Sequence, residues 1–130
     1  MFASLRRWNH ETVGKEIEPP PLALTIAAMD QANVRKGLIC SWKNQEGVLI
    51  SNQEVASCIN QYPDRFSGIA SVPLNRPVGA TKELRSLVND HGFKGVRIVQ
   101  WHWNLPPTHA YYYPLYATCV DLDIPVCLQV

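Results

Sequence analysis

FSGIASVPLNRPVGATKELRSLVNDHGFKGVRIVQ, Phe66 to Gln100, decides the fold. FSGIASV (Phe66 to Val72) and VRIVQ (Val96 to Gln100) at its two ends are short apolar runs, the pattern of buried strands. Between them Pro77 suits the first turn of a helix, where its missing N–H costs nothing. Ala80, Leu84, Leu87 and Val88 then recur on one helical face, and Gly92 supplies a left-handed stop. A strand and its crossover helix take about 30 residues, so this stretch reads as one βαβ unit with parallel strands.

The same rhythm extends in both directions. LICSW (Leu38 to Trp42) precedes it and VCLQV (Val126 to Val130) follows, so the four runs start 28 to 30 residues apart. Ser51 and Glu54 form a capping box ahead of Val55, Cys58, Ile59 and Tyr62, and Pro63 ends that helix. Leu22, Ile26 and Met29 are spaced for an earlier helix ending near Asn33, and Tyr111 to Leu122 for a final one. Residues 1–20 read as an irregular segment, and residues 1–130 as a single domain. The last run reaches the last residue, whereas a buried parallel strand expects neighbours on both sides. The chain is therefore expected to be part of something longer, with open sheet edges through which copies could associate.

Composition excludes several classes. At 130 residues, 46% hydrophobic and 18% charged, the chain has the make-up of one globular domain. Twelve basic residues against eleven acidic give +1 with no basic run, which argues against nucleic-acid binding. The longest apolar stretch, Leu22 to Met29, is far short of the ~20 residues that span a bilayer. Met1 to His10 carries two Arg with no apolar core behind them, so it does not read as a signal peptide. Cys40, Cys58, Cys119 and Cys127 lack CxxC spacing and read as reduced, buried thiols of a cytoplasmic protein. Neither GxGxxG nor GxxxxGK[ST] occurs, so no dinucleotide or P-loop site is expected.

Three segments carry a family likeness. NQYPDRFSGIASVPLNRP (Asn60 to Pro77), ELRSLVNDHGFKGVRI (Glu83 to Ile98) and YYYPLYATCVDLDIPVCLQV (Tyr111 to Val130) resemble, in order, segments of the amidohydrolase-related family. The resemblance covers Leu22 to Val130 and implies an α/β fold: about half of a (β/α)8 TIM barrel, strands two to five with intervening helices. It implies a metal-dependent hydrolase, commonly zinc-dependent, acting on a small carboxylated or lactone-like compound. Non-oxidative decarboxylation is the alternative, and a catalytically inert, metal-free fragment or paralogue is another. Two departures bear on the metal. The family's HxH motif is absent, and Gln129 stands where its fifth strand usually ends in a ligand His. No metal ligand set is therefore recognised in this chain, which alone is expected to be inactive, and no catalytic residue is assigned.

Substrate-binding candidates follow from the barrel geometry, in which loops after strands form the mouth of the site. From Trp101 to Pro114, 5 of 14 residues are Trp or Tyr, enough to wall a small flat substrate. Trp101, His102 and Trp103 head that segment, and Trp42 ends the first run. Arg97 lies inside an apolar strand, where a charge needs a partner. Alternation places it with Val99 and Trp101, facing inward, either to hold a substrate carboxylate or to complete a structural ion pair. Gln129 lies near the end of the last strand, on the same face as Cys127. Asp64 and Arg65 read as a turn with a surface ion pair, and Asp121 and Asp123 as residues of the opposite, stability end.

Overall fold

Parallel strands cannot be joined by tight turns, so every link in this sheet has to cross over it. The computed structural model describes residues 21–129, which leaves the irregular segment 1–20 and Val130 outside the described residues. The chain divides into two compact units, residues 1–33 and 34–130. In the first, α1 (Leu22–Gln31) ends ahead of Asn33, whose φ of 54° is left-handed.

The second unit holds β1 (Gly37–Cys40), a hairpin of β2 (Trp42–Lys43) and β3 (Val48–Ile50), α2 (Asn52–Gln61) and β4 (Phe66–Ala70). It continues through α3 (Pro77–His91), β5 (Phe93–Val99) and a helical turn, α4 (Gln100–Trp103). A 3-10 turn (Ala110–Tyr112), α5 (Tyr113–Asp121) and β6 (Val126–Gln129) follow. The main sheet has the order β1-β4-β5-β6, parallel throughout, which is the sequential half-barrel arrangement expected. Local signals act as read. Ser51 Oγ accepts from Glu54 N at 3.0 Å while the Glu54 carboxylate takes Ser51 N at 2.7 Å. Pro77 opens α3, and Gly92 closes it at φ 74°.

The two faces of the sheet differ. Val96 and Ile98 are fully buried beneath the helices, together with Phe66, Ala70, Leu84 and Leu115. The other face, carrying Leu38, Cys40, Arg97, Cys127 and Gln129, is open, and Leu38 is 66% exposed. Sheet and helix meet most closely at Gly68. A Cβ there would lie 2.8 Å from Ile59 Cδ1 and 2.9 Å from Phe93 Cδ1, so a larger residue would force these core side chains of α2 and β5 to shift. Among the described residues no helix is long and apolar enough to cross a membrane.

Three readings need correction. β5 ends at Val99, and Gln100 opens a helical turn, so Trp101 does not share a strand face with Arg97. Trp42 does not continue β1: the chain turns out after Cys40, and Trp42 pairs with Ile50 in the antiparallel hairpin. Cys127 is exposed, because it lies on the open face of the edge strand; only Cys119 is fully buried. Arg65, in the turn ahead of β4, donates to the carbonyls of Arg35 (3.0 Å) and Val34 (3.2 Å), fastening the lead-in to β1.

Gly68→Ala should destabilise the fold by about 1–3 kcal/mol, the usual cost of overpacking a core. Gly79→Ala, inside α3 with its nearest new neighbour 3.9 Å away, should stabilise it by about 0.5–1 kcal/mol. Urea unfolding of both variants measures the contrast. Equal effects would show that the Gly68 contact does not govern the packing of α2 on β4.

Candidate functional site

Arg97 is paired in register with Cys127, and Val99 with Gln129, so the two polar side chains meet on the open face at the strand ends. Arg97 Nη2 donates to Gln129 Oε1. Its Cζ lies 4.9 Å from the centroid of the Trp42 ring, a cation–π approach from the neighbouring hairpin. The charge of the guanidinium also acts on the Cys40 thiol. Burial pushes that thiol up from its ordinary value, Arg97 opposes the shift, and Cys127 adds to it. No carboxylate is paired with Arg97 among the described residues, which removes the structural ion pair as its explanation there. A charged fork is left between a carboxamide and a π face.

The aromatic wall is built from two elements. Trp42 meets His102 edge-on, with ring centroids 5.7 Å apart and planes at 75°. Trp101 tilts against the other side of His102 at 6.1 Å and stands 48% exposed at the rim. Trp103 turns into the core, and its carbonyl accepts from Gln45 Nε2 at the hairpin tip. Gln100 Oε1 and His102 Nε2 are closed from solvent without a hydrogen-bond partner among the described residues. Such atoms cost about 1–3 kcal/mol each when left unmatched. The structure thus brings Trp42, Arg97, His102 and Gln129 together. Trp101 lies at the margin and Trp103 behind the wall.

Sequence reasoning missed the polar cluster that supports this end of the sheet. Asn52, the first residue of α2, accepts at Oδ1 from Ser41 Oγ (2.6 Å) and Ser71 N (3.2 Å). Its Nδ2 donates to Ser71 O (3.0 Å) and Glu83 Oε1 (2.8 Å). Lys43 adds an ion pair to Glu83 at 3.2 Å and a backbone bond to Ser71 Oγ at 3.2 Å. The signal was faint: Ser41 and Ser71 are polar residues within otherwise apolar runs, and the structure ends the neighbouring strands β1 and β4 one residue before each. Asp121, at the opposite end, pairs with Arg85 at 2.7 Å on the surface.

The described residues do not suit a metal ion. They contain no group of three His, Cys, Asp or Glu side chains that could hold one. Gln129, at the expected ligand position, is already bound to a guanidinium, whose fixed charge would repel a second cation.

Residues 7–130 match the sequence model of a family described as amidohydrolase. A 2-keto-4-carboxy-3-hexenedioate hydratase of Sphingobium sp. (strain NBRC 103272 / SYK-6) is 30% identical over 87 residues, 61% of this chain and 26% of that protein. A gamma-resorcylate decarboxylase of Rhizobium radiobacter is 32% identical over 89 residues, with the same coverage. The matched part thus spans about a quarter of each relative. An uncharacterised TIM-barrel protein of Bordetella bronchiseptica superposes with a TM-score of 0.70 at 27% identity, over 83% of this chain and 39% of that one. The 5-carboxyvanillate decarboxylase of Novosphingobium aromaticivorans, solved with bound manganese, gives 0.69 at 22% identity, over 78% and 32%. The half-barrel fold is therefore that of known TIM barrels.

Thiol chemistry tests the geometry directly. Alkylation at pH 8 should modify Cys127 first and Cys119 last, since burial pushes the Cys119 thiol up to about 11. Cys40 should react more slowly than Cys127, and more slowly still in Arg97→Met, which removes the charge that favours its thiolate. Mass spectrometry over a time course reads the order. An Arg97→Met chain whose Cys40 reacts at the same rate would show that the two groups do not interact.

Proposed function

Because this chain belongs to the amidohydrolase family, we propose that it forms the substrate-anchoring half of an enzyme barrel acting on a small, planar carboxylated compound. One observation carries the reading: Arg97 has no carboxylate partner among the described residues and lies between an aromatic ring and a carboxamide at the strand ends. A guanidinium grips a carboxylate through two parallel hydrogen bonds, and the Trp42–His102 wall suits the flat body behind it.

The charge also bears on the reaction. A carboxylate held by Arg97 is stabilised in its ground state, which raises the barrier to its departure as carbon dioxide. Arg97 is thus an anchor for a carboxylate that stays, and the chemistry beside it is addition of water, as in hydrolysis of a lactone or hydration. The similarity to a hydratase supports this. The similarity to gamma-resorcylate decarboxylase supports a second reading, decarboxylation, in which the departing carboxylate would lie away from Arg97. A divalent metal, zinc by the family resemblance, would be held by residues outside those described. The free thiols support a reducing, cytoplasmic setting. The free edges of β1 and β6 among the described residues support association with further strands, including those of another copy.

Titrating the chain with 2,6-dihydroxybenzoate and with its methyl ester tests the anchor. The acid should bind more tightly than the ester, and Arg97→Met should weaken the acid by about 10- to 100-fold, the range for hydrogen bonds to a charged group. Equal binding of acid and ester would refute the carboxylate site. In the complete protein, carbon dioxide release against ring opening of a carboxylated lactone separates the two reactions.

A further inference from the structure

The site's two walls come from segments far apart in sequence, and one side chain joins them. Trp42 begins the hairpin, whereas His102 and Trp103 belong to the α4 turn. The hairpin shapes its own tip: Asn44 N donates to Gly47 O at 2.9 Å, and Asn44 Oδ1 accepts from Glu46 N and Gly47 N, each at 2.9 Å. Gln45 is not needed for that turn. Its Nε2 instead donates to Trp103 O, at the end of α4, just before the left-handed Asn104 (φ 52°). The last carbonyls of a helix have no partner within it, so Gln45 supplies one that the turn lacks. The far side of the hairpin is fixed separately, by Lys43 to Ser71 and Glu83.

We infer that Gln45 is a positioning residue: it latches the hairpin onto α4 and so sets the Trp42 ring against Arg97 and His102. The inference rests on the carboxylate-site reading only for its consequence in binding; the ring's position stands apart from it. With the latch made, the wall is in place before a flat acid arrives, and binding does not have to order it. With the latch broken, Trp42 keeps its backbone tether at Lys43 but loses the fixed distance to His102. Reach and chemistry point to the amide of Gln45. A carboxylate of the same length cannot donate to a carbonyl, while an ammonium can.

The chain labelled with 5-fluorotryptophan, its Trp42 resonance assigned by Trp42→Phe, reads the ring directly by fluorine NMR. Gln45→Glu should shift or broaden the Trp42 signal and weaken 2,6-dihydroxybenzoate about three- to tenfold, the range for one lost hydrogen bond. Its melting temperature should fall by only a few degrees, as one lost hydrogen bond requires, with the far-UV circular dichroism of the parent chain retained. Gln45→Lys should restore both the signal and the affinity. An unmoved Trp42 signal in Gln45→Glu, or a Gln45→Lys chain that behaves like Gln45→Glu, overturns the latch. Arg97→Met in the same titration reports on the carboxylate site separately. Binding that is absent from the parent chain, or indifferent to Arg97→Met, removes the site, while the Trp42 signal still decides the latch.

Discussion

Four hydrogen bonds on one carboxamide hold together the end of the sheet that carries the candidate site. Asn52 uses both lone-pair directions of its oxygen and both hydrogens of its nitrogen, on Ser41, Ser71 and Glu83. Each bond is worth about 0.5–1.5 kcal/mol net, but their importance lies in what they join. The chain segments leaving β1 and β4, the start of α2 and the middle of α3 converge on one side chain. The hairpin leaves β1 through this point, with Lys43 tied to the same Glu83. Every group proposed to meet a substrate from the β1 side is therefore positioned by a residue that never faces the open side of the sheet.

The fold was largely legible because its signals are local or periodic. Apolar runs at 28- to 30-residue intervals, the Ser51–Glu54 box, Pro77 and Gly92 each act within a few residues of themselves. The hairpin was not legible. Val48 and Leu49 are exposed, so β3 carries no burial pattern, and its pairing with Trp42–Lys43 is a tertiary matter. Arg97 stood out because a charge in an apolar strand is anomalous. Its partners did not, since Gln129 and Trp42 lie on other elements. The α4 turn escaped because VRIVQ continues a strand-like pattern one residue beyond the point where the backbone turns helical.

The family resemblance led to a metal-centred expectation, and the described residues show a different electrostatic plan. A guanidinium at the strand ends and a divalent ion at the same spot would repel each other. The carboxamide of Gln129, neutral where a ligand imidazole is expected, is what lets Arg97 extend there.

A positive charge with no carboxylate partner among the described residues, on the open face of the sheet, also acts before any contact is made. Field lines from Arg97 leave through the open side of the sheet, because the helix-covered side is packed with apolar groups. Small anions of any kind would accumulate there, inorganic ones included. Chloride and phosphate therefore become competitors whose effect grows with concentration, while the Debye length, about 8 Å at physiological ionic strength, limits how far the attraction extends. Capture by this surface should depend on the salt around it as much as on the shape of what it captures.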